Sequence, residues 1–310
     1  MSNQASYRQF CKTLPDLPVF LQPWYLDAAQ QTEIWDAALL WHEDEVVAAL
    51  PYFFKKKWIF RSIVLPPFVK YLGPVLHPDH RTLSNQHQLY AGLIRQLPAF
   101  DSFKLDMHPE FTNWLPFRWA GFRQTTRYTY RLNIADLEQT LDGIRYNNRR
   151  EIRKADQFFS LRHDLSLSEF YRINKMSFDR QQIKIPYSIT QLERHDQALN
   201  DHQARELFFA LDAQEQIYAV AYLIWDRQRA YFHLAGDDPR FRNKHAGIWL
   251  IWKCIEYARN TLQLTEFDFE GSMIPSIEAV RRRFGARQTP YFRLWKYNSR
   301  LYRFLDRWEP

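Results

Sequence analysis

Three scarcities limit what this chain of 310 residues can be. Only two cysteines are present, Cys11 and Cys254, so a disulfide framework is not expected and a reducing compartment is favoured. The most apolar stretch, "GIWLIWKCIEYA", is interrupted by Lys253 and Glu256, so no membrane span is predicted. The opening "MSNQASYRQF" lacks the apolar centre of a signal peptide. With eight glycines, the chain is also unlike a flexible or low-complexity polymer.

The composition is that of a folded, basic protein. Apolar residues make up 46% of the chain and aromatic residues 17%, which is enough to build real cores. The length suits two domains of ordinary size. The formal net charge of +7 favours anionic partners such as phosphates, nucleic acid or a membrane surface. The histidines lack metal-ligand spacing, so no metal site is predicted.

Three stretches of the first half recur, in the same order, in the second half. "GFRQT" at 121–125 returns as "GARQT" at 285–289, and Asp106 and Asp268 each end an alternating strand-like run. "EDEVVAALPYFF" resembles "QEQIYAVAYLIW", which begins at Gln214. Echoes at nearly the same offset, 162 to 171 residues, indicate the duplication of a domain of roughly 165–170 residues. We therefore expect two related domains of mixed α/β type, at residues 1–135 and 136–310.

Periodicity places the elements of the second half. One long helix is predicted over Leu137–Phe159, and three consecutive strands end with Arg229–Ala235. A loop over Gly236–Gly247 then leads into an apolar helix and a further strand over Thr265–Phe269. A loop at the carboxyl end of such a strand is where open α/β sheets bind ligands.

That loop is the first candidate site. A helix that starts near Ala246 presents free N–H groups, which suit a phosphate. The predicted cofactor-binding residues are Gly236, Arg242, Lys244, His245, Ala246 and Gly247, with Arg240 nearby. The alternative interpretation is a solvated basic turn.

The order of segments resembles the fold of GNAT acyltransferases, and four stretches resemble the FemAB-like proteins, which are tandem pairs of GNAT-like domains. These stretches are "PPFVKYLGP" at 66–74, "IRYNNRREIRKA" at 144–155, "FDFEGS" at 267–272 and "VRRRFGA" at 280–286. In the last one, Arg281 stands where the family pattern has lysine. The phosphate loop of GNAT proteins also differs here, because His245 occupies the position of its first glycine.

The resemblance implies an N-acyltransferase that moves an acyl or aminoacyl group from an activated donor to an amine, without a covalent intermediate. Acyl-CoA is the expected donor. Better-known relatives use aminoacyl-tRNA to build peptidoglycan cross-bridges, and often carry a helical hairpin for which this chain has no room. The implied acceptor is a small-molecule amine or a cell-envelope precursor. The protein is expected in the cytoplasm or at the inner face of the membrane, with at most peripheral membrane contact, and no DNA partner is expected.

Such chemistry requires a base and a stabilised oxyanion. Asp268 and Glu270 share one face of their strand, and Glu270 is the favoured base because Asp268 has the structural echo Asp106. Asp237 and Asp238 are alternative bases. Arg281 or Lys244 would add positive charge, together with backbone N–H groups released by a bulge near residues 234–236.

Further residues are candidates for substrate contact. Arg180 and Tyr187 lie in "FDRQQIKIPYS", the segment that covers the acceptor in related folds. Arg145, Arg149 and Arg153 would form one stripe on the long helix and could bind a polyanion, or could be a solvated face. The apolar positions of the C-terminal tail, which include Phe304 and Trp308, could contact a membrane surface or pack on their own domain.

A rival interpretation from another functional class stays open. The chain could be a non-catalytic binding module that keeps a duplicated fold with a degenerate phosphate loop. A third possibility is a transferase that uses aminoacyl-tRNA and a peptidoglycan precursor.

Overall fold

The computed structural model describes residues 2–271 and 273–306, and of Asn243 only the backbone. Ser272 and Trp308, which were part of the sequence analysis, lie outside the described residues. Within these ranges, no helix is both long enough and apolar enough to cross a membrane. Both cysteines are buried and neither is disulfide-bonded.

Helices and strands alternate along the whole chain. The N-terminal segment contains α1 (Asn3–Lys12), α2 (Pro23–Ala29), β1 (Ile34–His42), β2 (Glu45–Lys57), β3 (Phe60–Val64), β4 (Val75–Leu76), α3 (Leu83–Gln96), β5 (Ser102–Asp106) and α4 (Leu115–Trp119). The middle contains β6 (Arg123–Asn133), α5 (Leu137–Gly143), α6 (Tyr146–Ala155), β7 (Ser160–Arg162), α7 (Leu167–Arg180), α8 (Ile189–Asp201), β8 (Arg205–Leu211), β9 (Ile217–Trp225) and β10 (Arg229–Asp237). The last segment contains α9 (Ala246–Asn260), β11 (Glu266–Asp268), α10 (Pro275–Arg283), β12 (Arg287–Tyr297) and α11 (Arg300–Leu305).

The chain forms two compact units. Unit 1 comprises residues 1–127 and 290–310, and unit 2 comprises residues 128–289. The C-terminal strand was expected to belong with the second half of the sequence, whereas most of it lies in unit 1. The assignment of the two functional domains to residues 1–135 and 136–310 stays a prediction.

Each unit contains a mixed sheet, and the strand order is the same in both. In unit 1, β1, β2 and β3 form an antiparallel meander, β3 pairs with β5 in parallel, and β5 pairs with β12 antiparallel. In unit 2, β8, β9 and β10 form the meander, β10 pairs with β11 in parallel, and β11 pairs with β6 antiparallel. The shared order confirms the expected mixed α/β class and agrees with the duplication inferred from the sequence echoes.

The repeated pentapeptides occupy equivalent places. Gly121 follows α4 and precedes β6, while Gly285 follows α10 and precedes β12. Their φ angles are +82° and +78°, in the left-handed region that glycine adopts without a steric cost. The glycine of the echo therefore marks the same helix-to-strand turn twice.

The predicted helix over 137–159 is wrong as a single element, because it is divided into α5 and α6. The chain is extended at Ile144, and the backbone carbonyl of Gly143 lies 2.9 Å from the place where a Cβ of Gly285 would be. This close approach of two backbones comes from tertiary packing. Within the predicted range, Ile144, Ile152 and Phe159 are nevertheless buried in the core of unit 2.

Candidate active site

Strands β10 and β11 separate at one end of the unit 2 sheet. They pair in parallel over three residue pairs only, of which the last joins Tyr231 to Asp268. Residues 229–232 of β10 are buried, whereas residues 233–237 are partly or fully exposed. An opening therefore forms at the carboxyl ends of two parallel strands, which is the usual position of ligands in open α/β sheets.

A histidine–glutamate pair lies at this opening. The Nδ1 atom of His233 is 2.7 Å from the Oε1 atom of Glu270, and both side chains are largely buried. The register of β10 against β9 shifts between Phe232 and Leu234, so His233 is the extra residue of a β-bulge. Bulges redirect side chains and are frequent beside active sites.

The role of His233 was not predicted from the sequence, where the histidines were considered only as metal ligands. The register of the parallel strand pair could have indicated that His233 lies beside Glu270. If Tyr231 lies opposite Asp268, the residues two positions further along each strand are His233 and Glu270, on the same face. Among the described residues, no group of three His, Cys, Asp or Glu side chains could hold a metal ion.

Asp268 lies beneath this pair and is fully buried. Its carboxylate accepts hydrogen bonds from Thr129 Oγ1 at 2.5 Å and Arg131 Nε at 2.9 Å. It also accepts the backbone N–H of Glu270 at 2.8 Å. Asp268 therefore holds the backbone of Glu270, and its own oxygens are engaged within the protein.

The backbone at Glu270 has an uncommon conformation. Its φ is +54°, and Gly271 follows with φ +68°. A Cβ at position 271 would lie 2.2 Å from the carbonyl oxygen of Tyr128, so only glycine fits. Non-glycine residues in the left-handed region cost roughly 1 kcal/mol and are concentrated at functional sites. The turn aims the Glu270 carboxylate at His233.

Arg281, in the last turn of α10, completes the group. Its guanidinium carbon lies 4.9 Å from the ring centroid of Phe269 and 5.1 Å from that of Phe232. Its Nε atom is buried and has no hydrogen-bond partner among the residues that the structure describes. Burial lowers the pKa of Arg281 to about 10, against the opposing effect of the negative charge of Glu270. The side chain is therefore a cation at neutral pH, held by aromatic rings and able to receive an oxygen.

The predicted phosphate loop contains more structure than expected. Gly236 belongs to β10, residues 239–244 form a 3-10 helix, and His245 is the N-cap of α9 with φ +60°. The first helical N–H groups, those of Ala246 and Gly247, point out of the start of this helix of 15 residues. A Cβ at Gly247 would meet no atom within 4 Å, so the helix start borders open space.

Two of the basic side chains predicted around this loop form ion pairs with aspartates. Arg240 pairs with Asp238 and Arg242 pairs with Asp237, each at 2.7 Å. Lys244 instead lies over the ring of Phe158 at 5.4 Å, and no ion pair of its side chain occurs within the described ranges. Both alternative bases, Asp237 and Asp238, are thus occupied by arginines.

Gly236 has a packing role. A Cβ there would lie 2.5 Å from the Cα of Asn174, because α7 crosses β10 at this point. Asn174 Nδ2 donates to the carbonyl oxygen of Ala235 at 2.7 Å, and the hydroxyl of Tyr187 donates to Asn174 Oδ1 at 2.5 Å. Burial raises the pKa of Tyr187. Tyr187 thus connects the α7–α8 segment to β10, and its predicted contact with an acceptor stays a prediction.

The segment between α7 and α8 borders a cleft of about 760 Å³. The residues that line it include Lys175, Gln182 and Lys184. Arg180, at the end of α7, lies 3.8 Å from Asp237. Arg180 is thus placed between this segment and the carboxyl end of β10.

The predicted arginine stripe is only partly formed. Arg145 is the N-cap of α6, outside the helix, and Arg149 pairs with Asp142 at 2.8 Å. Arg153 is exposed. Because the helix breaks before Arg145, the three side chains do not continue one regular face.

Comparisons with known proteins identify the fold of this chain. Residues 143–273 match the family model of the GNAT acetyltransferase domain. The chain also resembles the solved structure titled FemX, at 15% identity over 98% of both chains with a TM-score of 0.73. The predicted fold, a tandem pair of GNAT-like domains, is thereby confirmed.

Two further solved structures have the same fold. One is the C-terminal domain of a lysylphosphatidylglycerol synthetase from Agrobacterium fabrum, at 10% identity and a TM-score of 0.59. The likeness covers 95% of this chain and 92% of the synthetase domain. The other is a tandem GNAT protein from the clavulanic acid biosynthesis pathway, with 12% identity, 94% coverage of both chains and a TM-score of 0.56. No curated protein sequence matches the chain significantly. At such identities the likeness establishes the fold alone.

Proposed function

We propose that unit 2 transfers an acyl or aminoacyl group from an activated donor to an amine at the open end of β10 and β11. The observation that supports this most is the convergence of Glu270, His233 and Arg281 on that opening. A base, a partner that orients it and a cation are the groups that direct acyl transfer requires.

The proposed reaction is a direct attack. The amine nitrogen forms a bond to the acyl carbonyl carbon, and Glu270 accepts the proton that the nitrogen loses. His233, donating from Nδ1 to Glu270 Oε1, orients the carboxylate. Arg281 stabilises the negative charge that develops on the acyl oxygen. When the carbonyl reforms, the bond to the leaving group breaks, and the proton held by Glu270 passes to the leaving sulfur or oxygen, directly or through water. The products are an amide and a thiol or a ribose hydroxyl, and Glu270 is again a carboxylate.

Asp268 has a positioning role in this proposal. It is buried and already accepts three hydrogen bonds, so it cannot take a proton from a substrate without losing them. Its bond to the N–H of Glu270 is what aims the base. Asp237 and Asp238 are weaker candidates because arginines already neutralise them.

Acyl-CoA is the first donor to test. The N-terminus of α9, with Gly247, Lys244 and His245 beside it, supports the binding of a donor phosphate. Aminoacyl-tRNA is the second candidate, supported by the likeness to FemX. The proposed acceptor is a small-molecule amine or an amine-bearing cell-envelope precursor, met in the cytoplasm or at the inner membrane face.

The test is the transfer of radiolabel from a panel of acyl-CoAs and aminoacyl-tRNAs to amine acceptors, with the wild type and two neighbouring variants. Arg281→Met should lower kcat by about 10²–10³-fold, since it removes a charge at the developing oxyanion. Arg282→Met is the matched control, because Arg282 is exposed and pairs with Glu278. Equal activity of the two variants would remove Arg281 from the mechanism. Absence of transfer from every donor would favour the binding-module interpretation.

A further inference from the structure

Unit 1 exposes large apolar side chains at the tip of its β2–β3 hairpin. Lys57 pairs with Phe60, so Trp58 and Ile59 form a two-residue turn. They are 80% and 76% exposed. Apolar side chains of this size usually lose most of their contact with water in a folded protein. The tip therefore presents apolar surface that no described residue of unit 1 covers.

The backbone of the turn reinforces this observation. Trp58 has φ +55°, in a position where hairpins favour glycine or asparagine. A bulky residue in that region is an outlier and carries strain. A tryptophan at this position indicates a role for its side chain that outweighs the local cost.

Helix α11 adds a second apolar group beside the first. The rings of Phe60 and Tyr302 contact each other with centroids 5.0 Å apart, which joins the base of the hairpin to the helix. Leu301, Phe304 and Leu305 lie on one face of α11, and Phe304 is 86% exposed. The five exposed residues Trp58, Ile59, Leu301, Phe304 and Leu305 are named here the docking surface.

Uncompensated positive charge surrounds the docking surface. Lys56, Lys57 and Arg300 are exposed and form no ion pair in the described part of the chain. The acidic groups nearby are already engaged. Asp101 accepts the backbone N–H of Arg61 at 2.8 Å, and Asp306 accepts the hydroxyl of Tyr297 at 2.9 Å.

A cleft beside α11 extends the positive region. Its volume is about 390 Å³, and it is lined by Arg123, Lys296 and Arg303 and by Asp306, whose carboxylate pairs with Lys104. Lys296 donates to the carbonyl oxygen of Ala120 at 2.8 Å, which holds its ammonium group at the cleft. The cleft has the charge to accept an anionic headgroup at the edge of the docking surface.

We propose that unit 1 docks on an anionic lipid bilayer through the docking surface. Trp and aliphatic side chains that alternate with Lys and Arg are the composition of segments that lie in a membrane interface. A second copy of the chain is a poorer occupant, because a two-fold contact would bring the same cations face to face. The proposal stands on unit 1 alone and does not depend on the acyltransferase mechanism.

The experiment is flotation of the full chain with lipid vesicles at low salt. Vesicles of phosphatidylcholine with about one third phosphatidylglycerol should carry the protein upward, and phosphatidylcholine vesicles should not. Trp58→Ser with Ile59→Ser should lower the partition coefficient at least about tenfold, because two large side chains no longer enter the interface. Lys56→Gln and Lys57→Gln should each lower it about fivefold.

Trp41→Ser is the matched control. Trp41 is also an exposed tryptophan of unit 1, but it pairs with Val46 at the opposite end of β2 from Lys57. This variant should float like the wild type. Phe304→Ser tests the same surface in case the turn variant does not fold, which a thermal melt would show.

Three results would overturn the proposal. The wild type could fail to float with anionic vesicles, or the folded Trp58 and Phe304 variants could float unchanged. Sedimentation could also show a dimer that the variants abolish while vesicle binding persists, which would assign the surface to a second copy. Each result is obtained without substrate, so it is distinct from a failure of the proposed transferase activity.

Discussion

Units 1 and 2 contain the same buried ion pair at the same point of the sheet. Asp106 ends β5 and lies opposite Arg293 of β12, whose Nη2 donates to Asp106 Oδ2 at 2.8 Å. Asp268 ends β11 and lies opposite Arg131 of β6, with 2.9 Å between Arg131 Nε and Asp268 Oδ2. Because both units contain this pair, we infer that it stabilises the fold of each unit.

The two units differ in the residues that come just after this pair. In unit 1, the backbone of Leu72 bonds to Asp106 at 2.9 Å and to His108 at 2.7 Å, which closes the space beyond the parallel strands. In unit 2, β10 separates from β11 there, and Glu270 turns towards His233. The strand order and ion pair that both units share are therefore not sufficient to form a site. A site forms only where the residues after the aspartate leave the space between the two parallel strands open.

The largest expected effect tests the open unit. Glu270→Gln keeps the shape of the side chain and removes the base, so kcat should fall by about 10²–10⁴-fold with donor affinity nearly unchanged. His108→Asn, at the equivalent place in unit 1, should change kcat by less than about twofold. Steady-state kinetics of both variants measures the contrast, and similar losses would mean that the comparison identifies the wrong unit.

The second test removes each buried carboxylate. Asp268→Ala should destabilise the protein by up to roughly 3–5 kcal/mol, because the buried Arg131 loses its nearer carboxylate and keeps Glu266 at 3.6 Å. Asp106→Ala should destabilise it less, because Arg293 is partly exposed. Denaturant unfolding measures the free energy. Only Asp268→Ala should also lower kcat under conditions in which both variants remain folded. Equal kcat values would show that Asp268 does not position Glu270.

A smaller effect concerns the packing beside the opening. Gly236→Ala should destabilise the protein by about 1–3 kcal/mol, since the new Cβ would lie 2.5–2.9 Å from backbone atoms of α7. Gly247→Ala is the control, because its Cβ meets nothing within 4 Å. Thermal melts compare the two variants, and an unchanged melting temperature for Gly236→Ala would contradict the close crossing of α7 and β10.

The smallest effect is a dependence on pH that is specific to unit 2. His195 is fully buried in α8, and burial lowers its pKa well below the ordinary value, with a contribution from His233. Below about pH 6.5 the unfolded chain binds a proton that the folded chain does not, so stability falls by up to about 1.4 kcal/mol per pH unit.

Hydrogen exchange can measure this effect locally. Between about pH 7 and 5, protection of α8 and β9 should fall more than protection of β1 and β2. In the variant His195→Gln, position 195 does not titrate. The protection of α8 and β9 in this variant should therefore depend less on pH than in the wild type. A variant with the same pH slope as the wild type would exclude His195 as the cause.

Much of the fold could be predicted from local patterns. The predicted strands Arg229–Ala235 and Thr265–Phe269 occur as β10 and β11, with bounds that differ by one or two residues. These strands are short and end at polar turns, so their signal is local. Helix α8 was not predicted, because its sequence, with residues such as Glu193 and Asp196 between the apolar positions, is largely polar.

The site was predictable only in part. Glu270 and Arg281 were named from the sequence, and the structure places them together with His233 at the opening. Tyr187 and Gly236 were named as contacts for ligands, which stays a prediction, and the structure adds that both contact Asn174. Their partners lie on elements distant along the chain, which spacing does not reveal.

The sequence by itself determined the repetition of the frame, because the echoed glycines and aspartates mark turns and strand ends whose causes are local. Only the tertiary structure decided that β10 and β11 separate in unit 2 while Leu72 closes unit 1. The pairing of parallel strands joins segments that are far apart in sequence, so its register is set by packing of the whole unit. That packing is also what brings His233 to Glu270.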